Sequence, residues 1–179
     1  MNKTKRYYLF ALAELTVLVL LDQLSKYAAV LYLKNQSGII LIPGVFELQY
    51  LENRGAAFGA LQNQRWFFIL VVFLVLAALI WCFLRLPEEK HYRPLAILSI
   101  LIAAGAIGNM IDRILNGYVI DFFYFSLIDF PIFNVADIYV SLSMLTLFLL
   151  FFTFYKDDDF SFLNPSKKKN STGEPSCKN

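Results

Sequence analysis

The chain has 179 residues, of which 58% fall in the AVILMFWYC set and only 17% are charged. That is too apolar for an ordinary soluble domain, in which close to half of the residues are apolar and about a quarter charged. A net charge of +2 argues against a nucleic-acid partner, and the single histidine, His91, nearly excludes a histidine-based triad or a multi-histidine metal site.

A helix needs about 20 mostly apolar residues to cross a bilayer. Four segments qualify, so the expected fold is a membrane α-helical protein with four transmembrane helices, a small extracytoplasmic β-sheet and an outer loop segment. The first helix is predicted over 7–30 and contains Glu14, Asp22 and Lys26. The basic leader KTKR invites comparison with a signal peptide. The apolar run exceeds the ~7–15 residues of such a segment, and no small-residue cleavage motif is clear, so it reads as a retained helix.

The stretch IILIPGVFELQYL, residues 39–51, has a different character. Pro43-Gly44 is a turn signal between two β-prone runs. Phe46, Leu48 and Tyr50 alternate with Glu47, Gln49 and Leu51, the period of a strand with one apolar face. A sheet region over about 36–62 follows. ENRGAAFG, Glu52 to Gly59, comes next; Asn53 and Arg54 could close over a site, or the segment could be a plain loop turn.

The second helix, 66–84, has no strongly polar side chain. The third, 94–113, ends in AAGAIGNMIDR. Ala104 and Gly108 form a small-xxx-small pair suited to close helix approach. Asn109 and Arg113 share a face, and Asp112 adjoins Arg113; a helix end held by charges and stopped at Gly117 is one reading. An Arg113 fork gripping a substrate carbonyl or carboxylate is the other. The fourth helix, 137–155, is opened by FNVAD, where Asn134 suits an N-cap and Asp137 the first turn. Together 1–156 form one integral membrane domain. Residues 157–179 form a polar tail whose composition predicts mobility.

Basic residues orient the chain. Lys3, Lys5 and Arg6, then Arg85, Lys90 and Arg93, then Lys156, Lys167, Lys168, Lys169 and Lys178 fall on one side, out of 16 in all. Both termini are therefore expected in the cytoplasm, with 31–64 and 114–136 outside. Cys82 and Cys177 have no disulfide or metal spacing.

Each ionisable group in a membrane helix costs at least a few kcal/mol and needs a reason. Apart from Glu14, which has no assigned role, these groups gather at the outward helix ends. Asp22 and Lys26 fit an interfacial ion pair with Lys26 snorkelling outward; for Asp22 a functional role is equally open. Asp121 lies in GYVIDFFYF with no helix start to cap and no basic neighbour within four residues. Paired with Asp137 it makes a carboxylate dyad, in which one group is base and the other acid. Asp129, in a loop bend before Pro131, reads as solvated. A proton-coupled transporter and a purely structural membrane partner are the competing readings of these residues.

Four blocks in order, DQLSKY (22–27), ENRGAAFG (52–59), GNMIDR…GYVIDFF (108–123) and FNVADIYVS (133–141), resemble the lipoprotein signal peptidases (signal peptidase II) of bacteria. The resemblance implies an aspartic endopeptidase of the cytoplasmic (inner) membrane. Such an enzyme removes the signal peptide from diacylglyceryl-modified prolipoproteins, cutting before the lipidated cysteine, with its site near the outer face. It implies Asp121 and Asp137 as catalytic residues, and Asp22, Lys26, Asn53, Arg54, Asn109, Arg113 and Asn134 as substrate-binding or orienting groups. No metal or cofactor is implied. The expected partners are the lipidated substrate, membrane lipid and globomycin-type inhibitors, with the chain acting as a monomer.

Overall fold

The computed structural model describes residues 3–55 and 61–163. Four helices are long and apolar enough to cross a membrane: α1 (Lys3–Leu33), α2 (Arg65–Arg85), α3 (Arg93–Leu115) and α4 (Val135–Thr153). None of the residues of α2 is buried, although nearly all are apolar. A helix apolar all round belongs in lipid, and the bilayer covers what the protein leaves open.

α3 is the central helix and packs against each of the other three. Two glycines make this possible. A Cβ added at Gly105 would lie 2.5 Å from the Ala136 carbonyl oxygen and 2.7 Å from Val140 Cγ2. One added at Gly108 would overlap the Asp22 carboxylate. Ala104, half of the expected small-residue pair, is fully buried, but the close approaches fall at Gly105 and Gly108. Gly105→Val should therefore force α3 and α4 apart, at a cost of about 1–3 kcal/mol or more. Thermal unfolding of the purified variant in detergent checks this; an unchanged melting temperature would show the contact to be slack.

The segments that join α1 to α2 and α3 to α4 build a three-stranded antiparallel sheet in the order β1-β2-β3: β1 (Ile39–Ile42), β2 (Phe46–Asn53) and β3 (Val119–Tyr124). β1 and β2 meet at the Pro43-Gly44 turn. β3 was not legible as a strand, because Val119–Phe122 is buried throughout and shows no alternation. It joins the end of α1 in an apolar cluster of Ala29, Leu33, Ile120 and Phe122. Gly117, at φ +84, ends α3 in a left-handed conformation and lets the chain reverse into β3. On its free side β3 bridges to Phe133: Phe123 N donates to Phe133 O at 2.8 Å and Phe133 N to Phe123 O at 3.0 Å. That bridge holds the start of α4 beside the strand.

The tail begins with regular structure. Asp157–Leu163 forms a short 3-10 helix. Phe160 stacks on Phe151 with ring centroids 4.9 Å apart, and Tyr92 Oη donates to the Asp159 carbonyl at 3.0 Å. Its aspartates concealed two aromatic anchors, Phe160 and Phe162. Residues 164–179, with Lys167–Lys169, lie outside the described residues, as does 56–60, which includes Gly59 of the ENRGAAFG loop.

Candidate active site

Where the sheet meets the helix ends there is a cavity of about 1060 Å³. Asn53, Asn109, Arg113, Asp121 and Asp137 present polar groups to it, and Phe46, Phe123, Phe125 and Phe133 form an aromatic wall. Asp121 comes from β3 and Asp137 from the first turn of α4. The β3–Phe133 bridge closes the sequence gap between them.

Every oxygen of the two carboxylates has a donor. Asp121 Oδ1 accepts from Asn134 Nδ2 at 2.6 Å and Oδ2 from Asn53 Nδ2 at 2.8 Å. Asp137 Oδ1 accepts from Asn109 Nδ2 at 2.8 Å and Oδ2 from the Asn134 backbone N–H at 3.1 Å. Asn134 Oδ1 in turn accepts from Asp137 N at 3.0 Å, completing a capping box on α4. The capping and pairing readings of FNVAD thus hold together: one asparagine caps the helix and spans both aspartates. Charge-assisted bonds of this kind fix side-chain geometry. Burial, and then the neighbouring Asp137 carboxylate, push the Asp121 carboxyl up to about 7, against the opposing effect of its two amide donors.

Behind the cavity lies a buried polar cluster. Lys26 is 1% exposed and Asp22 0%, so Lys26 does not snorkel outward. Its ammonium sits 2.9 Å from Asp22 Oδ2 and 2.9 Å from Asp112 Oδ2, and donates to Asn109 Oδ1 at 2.8 Å. This settles which way the Asn109 amide points, since its oxygen faces the lysine and its nitrogen Asp137. Asp22 Oδ1 accepts from Ala136 N at 2.9 Å, at the N-terminus of α4. Asp112 accepts from the Ile120 N–H at 3.2 Å, one residue before Asp121. Asp22 and Lys26 therefore do not line the cavity; they fix the elements that carry Asp121 and Asp137.

Arg113 lines the cavity with its guanidinium 4.6 Å from the Phe68 ring centroid, and Nη2 donates to the Gly55 carbonyl at 3.2 Å. Among the described residues it has no carboxylate partner. Arg54, also at the cavity, lies over the Tyr118 ring at 5.1 Å and 3.3 Å from Glu52 Oε2. Glu52 has a second basic partner, since Lys34 approaches it at 3.2 Å as well. Asp129 is exposed at the cavity rim, where Tyr124 Oη donates to it at 2.8 Å, and Glu14 is exposed on α1 outside the cavity.

Two participants escaped sequence reasoning. The sequence places Asp112 only in the charge cluster at the end of the third helix, and it is 2% exposed. Gln23 Nε2 contacts Asp22 at 3.1 Å, the Gly108 carbonyl at 3.2 Å and Asp112 at 3.2 Å. The available signal was the Gly108-to-Asp112 spacing, which puts the carboxylate on the same face as the small residue.

Two carboxylates facing one cavity at an end of a helical bundle invite comparison with known membrane enzymes. The family model described as Signal peptidase (SPase) II matches residues 15–153. The lipoprotein signal peptidase of Brevibacillus brevis is 44% identical over 138 residues, covering 77% of this chain and 89% of that one. That of Streptococcus pyogenes serotype M1 is 41% identical over 152 residues, covering 85% and 96%. Among solved structures, a bacterial membrane enzyme determined by the in meso method at 2.3 Å superposes with a TM-score of 0.71 at 26% identity, covering 93% of this chain and 94% of that one. Fold and sequence agree over nearly the whole membrane domain, and the chain belongs to the signal peptidase II family.

Proposed function

We propose that Asp121 and Asp137 are the catalytic pair of this aspartic signal peptidase, and that it cleaves prolipoproteins immediately before a diacylglyceryl-modified cysteine. The observation that carries the assignment is the pair itself: two carboxylates on one cavity, spanned by Asn134, with the Asp121 carboxyl raised to about 7. Near neutral pH such a pair holds one proton between two groups. The unprotonated carboxylate takes a proton from water as its oxygen attacks the scissile carbonyl carbon. The protonated one donates to the carbonyl oxygen. On collapse the C–N bond breaks and the leaving nitrogen takes up a proton from the dyad. Asn53, Asn109 and Asn134 hold the carboxylates in register, and Arg113, with donors to spare, fits a backbone carbonyl of the bound peptide.

The sheet and cavity face the outside of the cytoplasmic membrane, because the basic residues concentrate at the opposite helix ends. A lipidated substrate stays in the bilayer, which suits a cavity with aromatic walls at the membrane surface. A globomycin-type cyclic peptide would occupy the same cavity, and a single copy contains the full set of groups. Family membership sets aside the transporter and the purely structural readings.

The test uses purified enzyme reconstituted in lipid with a diacylglyceryl-modified prolipoprotein and its unlipidated form. Mass spectrometry should place the cut directly before the modified cysteine, with the unlipidated precursor intact. A chelator should leave the rate unchanged and a globomycin-type inhibitor should stop it. Equal cleavage of both precursors, or loss of activity on chelation, would overturn the proposal.

A further inference from the structure

We propose that Ser141 is a substrate-binding residue, its hydroxyl donating a hydrogen bond to an ester carbonyl of the substrate's diacylglyceryl group. Ser141 lies one turn beyond Asp137 on α4 and lines the same cavity, exposed. Four residues along an α-helix correspond to about 6 Å. α4 runs from the sheet into the bilayer, so Ser141 is the first polar side chain below the dyad on that wall, between Ile138 and Leu142.

Its hydroxyl behaves differently from most others in these helices. A serine or threonine in an apolar helix ordinarily donates to a carbonyl of the preceding turn. Thr16 does so to Leu12 O at 2.8 Å, Ser99 to Leu95 O at 2.7 Å, Thr146 to Leu142 O at 2.7 Å and Thr153 to Leu149 O at 2.7 Å. Ser25 does so to Asp22 O at 2.6 Å. Ser141 makes no such bond to the Asp137 carbonyl and has no other hydrogen-bond partner among the described residues. Ser143 also lacks a partner there, but it is buried within the protein and does not line the cavity. A donor in an apolar wall gains most from an acceptor that arrives with the substrate.

The chemistry of the substrate identifies that acceptor. The inference rests on the reading that the dyad cuts before a lipidated cysteine. With the scissile carbonyl at Asp121 and Asp137, the modified residue follows at once, and its glycerol esters hang a few bonds further into the membrane. Ester carbonyls accept hydrogen bonds and cannot donate them, which matches a lone hydroxyl donor. The acyl chains beyond them meet Ile138 and Leu142.

The experiment compares two substrates with the same peptide and chain length, one with ester-linked acyl chains and one with ether-linked alkyl chains, which lacks the carbonyls. The parent enzyme should favour the ester form in kcat/KM by about two- to tenfold, the worth of one neutral hydrogen bond. Ser141→Ala should lose that factor on the ester substrate and keep its rate on the ether substrate, so the ratio collapses toward one. Ser141→Thr should restore it. A loss shared equally by both substrates, or an unchanged ratio, would overturn the inference. Failure of the parent enzyme to cut before the lipidated cysteine would instead overturn the proposed function.

Discussion

Asp121→Asn and Asp137→Asn should each lower cleavage of a lipidated prolipoprotein by at least about 10³-fold, since each removes a proton-transfer role that neither water nor the partner carboxylate replaces. The replacement keeps side-chain shape and most hydrogen bonds. In Asp137→Asn the new amide oxygen can still accept from the Asn134 backbone N–H, so the cap on α4 survives in part. In Asp121→Asn the new amide meets amide donors on both sides, from Asn53 and Asn134, and one of its two contacts opposes donor to donor. That misfit costs about 1–3 kcal/mol at most, too little to unfold the bundle. Activity and melting temperature measured on the same preparations separate the effects. Substantial cleavage by either variant would remove that residue from the catalytic pair.

The Asp121 carboxyl adds a pH dependence with a definite sign. With one proton shared, kcat/KM should fall as pH rises through about 7, because the pair then loses its acid. It should fall again in acid as the base is protonated. Stability follows the same group. Unfolded, the carboxyl ionises near 3.8; folded, it holds its proton up to about 7, so the folded state binds more protons across that window. Stability contributed by this group is therefore full below the lower value, declines as pH rises through the window and levels off above it. Asp121→Asn should flatten this slope, which thermal unfolding across pH would reveal.

Much of this site was legible in the sequence because membranes make charges costly. An apolar chain advertises its charged residues, and Asp22, Lys26, Arg113, Asp121 and Asp137 stood out for that reason, whereas Asn53, Asn109 and Asn134 joined them through the family resemblance. What remained hidden depended on pairing. Val119–Tyr124 carries apolar or aromatic residues on both faces, with Asp121 the single exception, so nothing in its pattern separates a strand from a buried helix turn. Its partner, β2, is distant in sequence and meets it only through the register that sets Leu51 opposite Asp121. Lys26 misled for a related reason. A lysine near a helix end ordinarily reaches water, and only the arrival of Asp112 from α3, with Gly108 leaving room for Asp22, turns it inward.

That inward lysine supports the second large effect. Lys26→Met should lower both the melting temperature and the activity. The methionine fills similar volume but leaves Asp22 and Asp112 buried without their common cation. Removing one partner from a buried ion pair costs about 3–5 kcal/mol, which for a chain of this size lowers the melting temperature by roughly 10 °C. Activity should fall by more than instability explains, because Asn109 loses the shorter and charged one of the two donors that orient its amide toward Asp137, keeping only Asn134 Nδ2 at 3.2 Å. Lys26→Met combined with Asp112→Asn separates the two consequences. Neutralising one stranded carboxylate should recover part of the stability, a non-additive result expected only of directly interacting groups. It should not recover activity, since the amide of Asn109 remains without its lysine. Recovery of both together would mean that Lys26 serves the fold alone, and full stability in the single variant would mean that the cluster admits water.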